Sequence, residues 1–259
     1  MVFASALVSL LLAAAALAVP RSNIEGRQAR RRMSGPRLTS QGPAAANQIS
    51  NATSHVAFST NWAGASLESP SGTYTSVTGT FTVPTPKSPV ARAASLPRRG
   101  SALTATPAQA RSCRPASTST STTALSPMMV HFLPWYEYYP AFASDFSGFS
   151  VSAGDVITLV ATKSSTTSGS VSITNESTGK TVSKSLTGSA TLCGQNAEWI
   201  VEDFEEGNAL VPFANFGTVT FTNAKATLAS GGTVGPSGAQ LLDIEQTASS
   251  PPLARPRAL

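Results

Sequence analysis

Histidine and cysteine are each present only twice in this chain of 259 residues, and charged residues make up 12% of it. His55 opens the patterned part of the chain and His131 stands in a patternless stretch, so a serine triad or a histidine zinc site has too few members. Cys113 and Cys193 lie far apart and form no metal-binding spacing. No glycine pattern cradles a phosphate. Helical spacing is missing after the first apolar run. Acids are missing from residues 87–134, which hold Lys87, Arg92, Arg98, Arg99, Arg111 and Arg114.

That last absence decides how the net charge of +5 is read. Residues 55–86 and 135–246 hold twelve acids against four lysines (Lys163, Lys180, Lys184, Lys225) and no arginine. The patterned body is therefore acidic. The basic residues sit in the leader, in 87–134 and in the tail with Arg255 and Arg257. A nucleic-acid footprint belongs on a folded basic surface, so no nucleic-acid partner is expected. With so few bases in the body, acidification neutralises carboxylates and leaves little positive charge behind, which suits work at low pH.

Residues 4–18 are an apolar run ending Ala16-Leu17-Ala18, the small-x-small pattern of a signal peptide. The run is too short to span a bilayer, so a secreted protein without a membrane anchor is expected, although no base precedes it. Residues 19–54 are basic, small and aperiodic. They read as a pro-segment or disordered leader, with Arg30-Arg31-Arg32 as a processing site. Asn51-Ala52-Thr53 and Asn175-Glu176-Ser177 match the N-glycosylation pattern. What remains is about one domain, residues 55–246, followed by an aberrant tail at 247–259.

The body reads as all-β. Residues 74–83 (YTSVTGTFTV) alternate with period two, and 155–162 (DVITLVAT) do the same. Residues 170–174 and 181–186 form two arms around a turn at 175–180. Strands at 198–204, 217–222 and 240–246 complete a sandwich or barrel. In 135–140 (WYEYYP), Trp135, Glu137 and Tyr139 share one strand face and Tyr136 and Tyr138 the other. A carboxylate between aromatics suits a groove for an extended ligand; a satisfied core strand gives the same pattern. In 192–204 (LCGQNAEWIVEDF), Glu198, Ile200, Glu202 and Phe204 share a face. Apolar flanks raise a carboxyl pKa and make an acid or base; solvent-facing acids on an edge strand would look the same.

These blocks together resemble a known family. Asn61-Trp62-Ala63-Gly64-Ala65, VTGTFTVP at 77–84, WYEYYP at 135–140, CGQNAEWIVEDFE at 193–205, LVPFANFGTVTFTNA at 210–224 and TVGPSGAQLLDIEQ at 233–246 are similar to the eqolisins, or glutamic peptidases. The resemblance covers about 60–86 and 135–246. It implies a secreted fungal acid endopeptidase, insensitive to pepstatin, on a β-sandwich of two large antiparallel sheets of lectin-like or jelly-roll type. It implies a Glu–Gln dyad in which Glu202 is the general base on water and the Gln amide stabilises the oxyanion. Trp62, Glu137 and Tyr139 carry over as substrate-groove residues, and Glu198 is the fallback base. Protein or peptide is the implied substrate, the enzyme a monomer, and neither cofactor nor metal is implied.

The family's Gln lies in a block of the type WVGIDGDTC-x-x-AILQTGVDF, upstream of the aromatic strand. This chain has no such block, and the genetic code suggests a reason. Joining the third base of each codon from Arg99 onward to the first two bases of the next permits Trp-Val-Gly-Ile-Asp-Gly-Asp-Thr, then Cys at Pro107/Ala108. From Arg111 the shifted codons permit Ile-Leu-Gln-Thr-Gly-Val-Asp-Phe, the Gln spanning Cys113 and Arg114. Residues 87–134 therefore read as out of frame and are expected to be irregular. The Gln and the cysteine that would pair with Cys193 are lost with the block, and Cys113 is accidental. Two rival readings stand beside the enzyme: a non-catalytic sandwich that binds polysaccharide or peptide along Trp62 and Tyr139, and a structural protein of the cell surface.

Overall fold

The computed structural model describes residues 32–34, 37–38, 56–85, 101–102, 104–109, 118–122, 124–125, 134–206, 210 and 216–246. All of the regular structure among them is β. Eight strands form one sheet in the order β10 (Ser144–Asp145), β9 (Pro134–Tyr138), β7 (Thr118–Thr122), β6 (Thr104–Gln109), β14 (Asn196–Glu202), β3 (Trp62–Glu68), β18 (Gln240–Ile244) and β2 (Val56–Ser59). Six form the second, in the order β13 (Lys180–Thr187), β12 (Ser168–Asn175), β11 (Val156–Lys163), β4 (Tyr74–Thr82), β16 (Thr222–Leu228) and β17 (Thr233–Val234). The ladders are antiparallel except for the β18–β2 pair. Two short pairs, β1 (Arg32–Met33) with β15 (Glu205–Glu206) and β5 (Ser101–Ala102) with β8 (Ala124–Leu125), complete the set. This is the expected sandwich.

Period-two patterning sorts the side chains. Val77, Phe81, Ile157, Leu159, Val171 and Ile173 of the six-stranded sheet meet Ala65, Ala197, Trp199 and Val201 of the other in one core cluster. Trp199 is fully buried, and its indole donates to the Thr78 carbonyl at 2.8 Å, so its polar atom costs nothing to bury. Burying a side chain of this kind contributes roughly 2–3 kcal/mol. The intervening residues make the outer face of the six-stranded sheet. There Thr181, Thr174, Thr158, Thr80 and Thr222 sit side by side across five strands, and Ser185, Ser170, Thr162, Ser76 and Thr227 form a parallel row. Neighbouring hydroxyls bond each other, Thr80 to Thr158 at 2.9 Å and Thr174 to Thr181 at 2.9 Å.

Three expectations are corrected. Residues 217–222 keep their alternation, with Val219 and Phe221 buried, but the ladder strand starts only at Thr222, where a register shift and Asn223 at φ 51° interrupt pairing with β4. Burial alternation reports a face, not a hydrogen-bonded partner. Residues 87–134 are not irregular throughout: β6 pairs with β14, and β7 pairs with both β6 and β9, in the interior of the eight-stranded sheet. Thr-Ser-Thr-Ser-Thr suits a strand, and the residues of β6 other than Pro107 bring both backbone groups to the ladder. Asn175 is fully buried; its amide donates to Asp155 Oδ2 at 2.7 Å and its oxygen caps the Thr178 N–H at 3.1 Å. That side chain is spent on the turn and closed to an enzyme that would glycosylate the folded protein. The other acceptor, Asn51, lies outside the described residues, as do most of the leader and the tail.

Gly64 fixes β3 against β14. At φ 146° it lies in backbone space that other residues avoid, and an added Cβ would fall 2.0 Å from the Trp199 carbonyl oxygen. Backbone cannot yield as a side chain can. Gly64→Ala is expected to cost roughly 3 kcal/mol of stability, measured as a lowered urea midpoint at unchanged m-value. An unchanged midpoint would show that the strands do not meet this closely.

Candidate active site

β14 has neighbours on both sides, β6 and β3, and all seven of its residues are buried. Trp199, Val201 and Ala197 face the core between the sheets. Ile200 faces the other way, packed with Trp62 and Leu242, and Phe204 meets Trp135 edge-on at 5.9 Å between ring centroids. The expected division of faces holds on both β14 and β9: Tyr138 packs in the core with Tyr136 against it, while Trp135 lies in the separate cluster with Phe204. The carboxylates at 198 and 202 are not solvent-facing acids of an edge strand.

Glu202 ends β14 in register with Trp62 on one side and Thr104 on the other, and is 2% exposed. Glu137 on β9 is 1% exposed and Asp203, next in the chain, is equally buried. Both feel Glu202. Burial pushes the Glu137 carboxyl well above its ordinary range; a hydrogen bond from Ser34 pulls it down and the charge of Glu202 pushes it up again. Burial likewise raises Asp203, against a hydrogen bond from Gln246 and with the help of Glu202, up to about 7. Gln246 Nε2 donates to Asp203 Oδ2 at 2.7 Å and to the Thr60 carbonyl at 2.9 Å. Glu137 Oε1 and Asp203 Oδ1 are buried without a hydrogen-bond donor among the described residues. Glu198, the fallback base, accepts from Asn196 Nδ2 at 3.0 Å and Ser66 Oγ at 3.3 Å, a satisfied setting on the same strand face.

Of the residues expected from sequence, the structure gathers Glu202, Trp62 and Glu137. Tyr139 stands in the turn after β9, half-buried, and makes no hydrogen bond among the described residues. Asp203 and Gln246 join the site unforeseen: Asp203 lies on the opposite side of its strand from Glu202, and nothing in the DIEQ block marks its glutamine as the partner. The segment around Ser34 was equally illegible, since a leader without periodicity shows no partner. Its backbone N–H donates to Glu137 Oε2 at 2.9 Å from a buried position, and β1 runs antiparallel to Glu205–Glu206. Arg37 donates to Gln240 Oε1 at 2.5 Å. Leu38 donates to Asn61 Oδ1 at 2.9 Å and accepts from the Thr60 N–H at 3.0 Å.

Gln109 is the sole glutamine of residues 87–134. It closes β6 opposite Ala197, at the far end of the ladder from Thr104, which stands opposite Glu202. Cys193 is disulfide-bonded. That corrects the expectation that its partner was lost with the missing block; the chain's other cysteine, Cys113, lies outside the described residues.

The raised carboxyls set how stability varies with pH. Between about 4, where a free Asp titrates, and about 7 for Asp203, the folded chain holds protons that the unfolded chain releases. Stability is therefore greatest in acid and falls as pH rises through this window. A loss on the order of 2 kcal/mol is expected from pH 4 to pH 7, read as a falling urea midpoint. Asp203→Asn should remove part of that slope, and a midpoint that climbs with pH would contradict the assignment.

Residues 60–254 match the Peptidase A4 family. A stretch of 117 residues is 52% identical to aspergillopepsin-2 of Aspergillus niger, covering 44% of this chain and 41% of that protein. Another, of 102 residues, is 47% identical to scytalidopepsin B of Scytalidium lignicola, covering 36% and 39%. The aligned stretches thus span less than half the length of these two relatives. The fold is similar to that of scytalido-glutamic peptidase crystallised with a transition state analog inhibitor, at a TM-score of 0.61 and 33% identity, over 73% of this chain and 89% of that one. It is also similar to SCP-B, an eqolisin in complex with the tripeptide Ala-Ile-His, at a TM-score of 0.55 and 30% identity. A sandwich of this topology, with a buried Glu202 beside Trp62 and within electrostatic reach of Glu137, carries the matched sequence blocks, and the chain belongs to the Peptidase A4 family.

Proposed function

We propose that this chain is the precursor of a secreted acid endopeptidase in which Glu202 activates the attacking water, and that turnover is crippled in the sequence as it stands. The observation that carries the reading is Glu202 itself: buried at the end of an interior strand, in register with Trp62 and electrostatically coupled to Glu137. An extended peptide laid over Trp62 brings a scissile carbonyl to that end of β14. Glu202 takes a proton from water as the oxygen attacks, and returns one to the leaving amine when the tetrahedral intermediate collapses. Burial raises the Glu137 carboxyl and takes Asp203 up to about 7, so both shifts work against a second negative charge beside the base in acid.

The oxyanion of that intermediate needs a donor. In the eqolisins the Gln amide supplies it. Here the β6 position opposite Glu202 is Thr104, and Gln109 stands at the other end of the strand. Removing one oxyanion donor costs about a hundredfold in turnover or more. An out-of-frame 87–134 explains the loss, while the pairing of β6 and β7 inside the eight-stranded sheet counts against it; sequencing the transcript across codons 85–136 tests it. An in-frame message would carry a Gln between the VPTP and WYEYYP blocks.

The functional test compares acid hydrolysis of a denatured protein by the chain as written with that by a version whose 87–134 block is restored. At least a hundredfold gain on restoration is expected, with Glu202→Gln abolishing it and pepstatin leaving it intact. Equal activity in both versions, unmoved by Glu202→Gln, would remove Glu202 from the mechanism.

A further inference from the structure

β18 lies between β2 and β3, yet those two strands follow each other in the chain and are joined by Thr60 and Asn61 alone. The link therefore crosses the end of β18, where Ile244 stands in register with Ser59. Two strand spacings amount to about 9.5 Å, and the three Cα steps from Ser59 to Trp62 reach at most about 10–11 Å. The link is close to taut. It has little slack to absorb a shift of Trp62, which follows it, and its peptide groups are tied down. The Asn61 carbonyl accepts from the Asp203 N–H at 2.8 Å, and the Thr60 carbonyl from Gln246 Nε2 at 2.9 Å. Gln246 Nε2 also donates to Asp203 Oδ2 at 2.7 Å. The fully buried Ser59 Oγ accepts from the Trp62 N–H at 3.1 Å and donates to Asn61 Oδ1 at 2.9 Å. The Glu245 N–H closes the group on the Ser59 carbonyl at 2.8 Å.

We propose that Asp203 and Gln246 are positioning residues, which act through the Thr60-Asn61 link to hold Trp62 in one fixed relation to Glu202. The proposal rests on reading the face that carries Trp62 and Glu202 as the peptide groove. The Asp203 N–H extends the β14–β3 ladder one residue past the Glu202–Trp62 pair, so the backbone that carries the base also grips the link. The Asp203 carboxyl then brings in Gln246 from just beyond β18, the strand that the link crosses. One amide group thus joins the ends of β14 and β18 to the start of β3. Neither side chain needs to touch substrate. Without the amide, a peptide still lies on Trp62, so binding survives. Its scissile carbonyl no longer settles in one place over Glu202, and a misplacement on the order of 1 Å can cost about a hundredfold in turnover. With its carboxyl raised to about 7, Asp203 is neutral in acid, where asparagine matches its shape and keeps an acceptor oxygen for Gln246.

Fluorine NMR of the chain labelled with 5-fluorotryptophan tests the geometry without catalysis. Its three tryptophans, Trp62, Trp135 and Trp199, give three signals, assigned through Trp62→Phe and Trp135→Phe. Gln246→Met keeps the length of the side chain and deletes both donated hydrogen bonds; Asp203→Ala deletes the acceptor. Each should shift or broaden the Trp62 signal and leave Trp199, in the core, in place, while Asp203→Asn gives the parent spectrum. In the block-restored enzyme, Gln246→Met and Asp203→Ala should lower kcat by about tenfold or more with KM nearly unchanged, and Asp203→Asn should retain the parent kcat. Turnover is expressed per folded molecule, counted from the Trp199 signal, so a loss of folded protein alone leaves it unchanged. Should Asp203→Ala fail to fold, Gln246→Met decides the matter by itself. A Trp62 signal that ignores Gln246→Met overturns the proposal, as does Asp203→Asn behaving like Asp203→Ala. A moved Trp62 signal in a block-restored protein that never hydrolyses peptide would leave the link and its ties standing and sink the peptidase reading. An active block-restored enzyme whose kcat ignores Gln246→Met would do the reverse.

Discussion

Burying carboxyl groups in the middle of a sheet is the constraint on which the rest of this structure depends. A lone charged carboxylate in such a place is expensive, and proteins lower the cost by protonation or by hydrogen bonds. Both are in use here. Glu198 is surrounded by donors, Asp203 draws Gln246 across from the last strand, and Glu137 takes a backbone N–H from the leader. Ser66, Gln246 and Ser34 thereby tie distant parts of the chain to β14, to the residue that follows it and to β9. Gln246 holds Asp203 and the Thr60 carbonyl together, so the end of the strand that bears Glu202 is locked to the turn that presents Trp62.

Much of this was legible before any coordinates. Period two in YTSVTGTFTV and DVITLVAT gave strands in nearly the observed places, because a half-buried strand alternates whatever its partner. The same rule put Glu137 and Trp135 on one face of β9, and Ile200 and Glu202 on one face of β14 with Phe204 just past its end. Its limits are equally physical. Alternation reports burial and says nothing about which backbone groups pair, so 217–222 read as a ladder strand and turned out to be an extended approach to one. Asp203 and Gln246 meet through side chains far apart in sequence, and no periodicity encodes a meeting of that kind.

The interior position of β6 and β7 carries a related lesson. Residues 87–134 have neither acids nor alternation, yet their described residues complete the sheet between β14 and β9. A ladder is built from peptide groups, which every residue except proline carries in full. Sheet continuity and site chemistry are therefore separable. Backbone closes the gap beside Glu202 even though β6 carries Pro107 opposite Trp199, a residue with no N–H to give the ladder, whereas an oxyanion donor has to be one kind of side chain at one position.

The two hydroxyl rows on the outer face of the six-stranded sheet have a consequence of their own. Most proteins stay dissolved by displaying carboxylates and amines, and that display changes with every proton in the medium. A serine or threonine hydroxyl does not titrate between strong acid and neutrality. A surface built from them meets water with the same donors and acceptors throughout that range. Each hydroxyl also retains capacity for water after bonding its neighbour, so order along the rows does not come at the expense of hydration. That face of the protein therefore keeps one hydrogen-bonding character from strong acid to neutrality, while the exposed carboxyls elsewhere, such as Glu68, Asp145 and Glu176, take up protons.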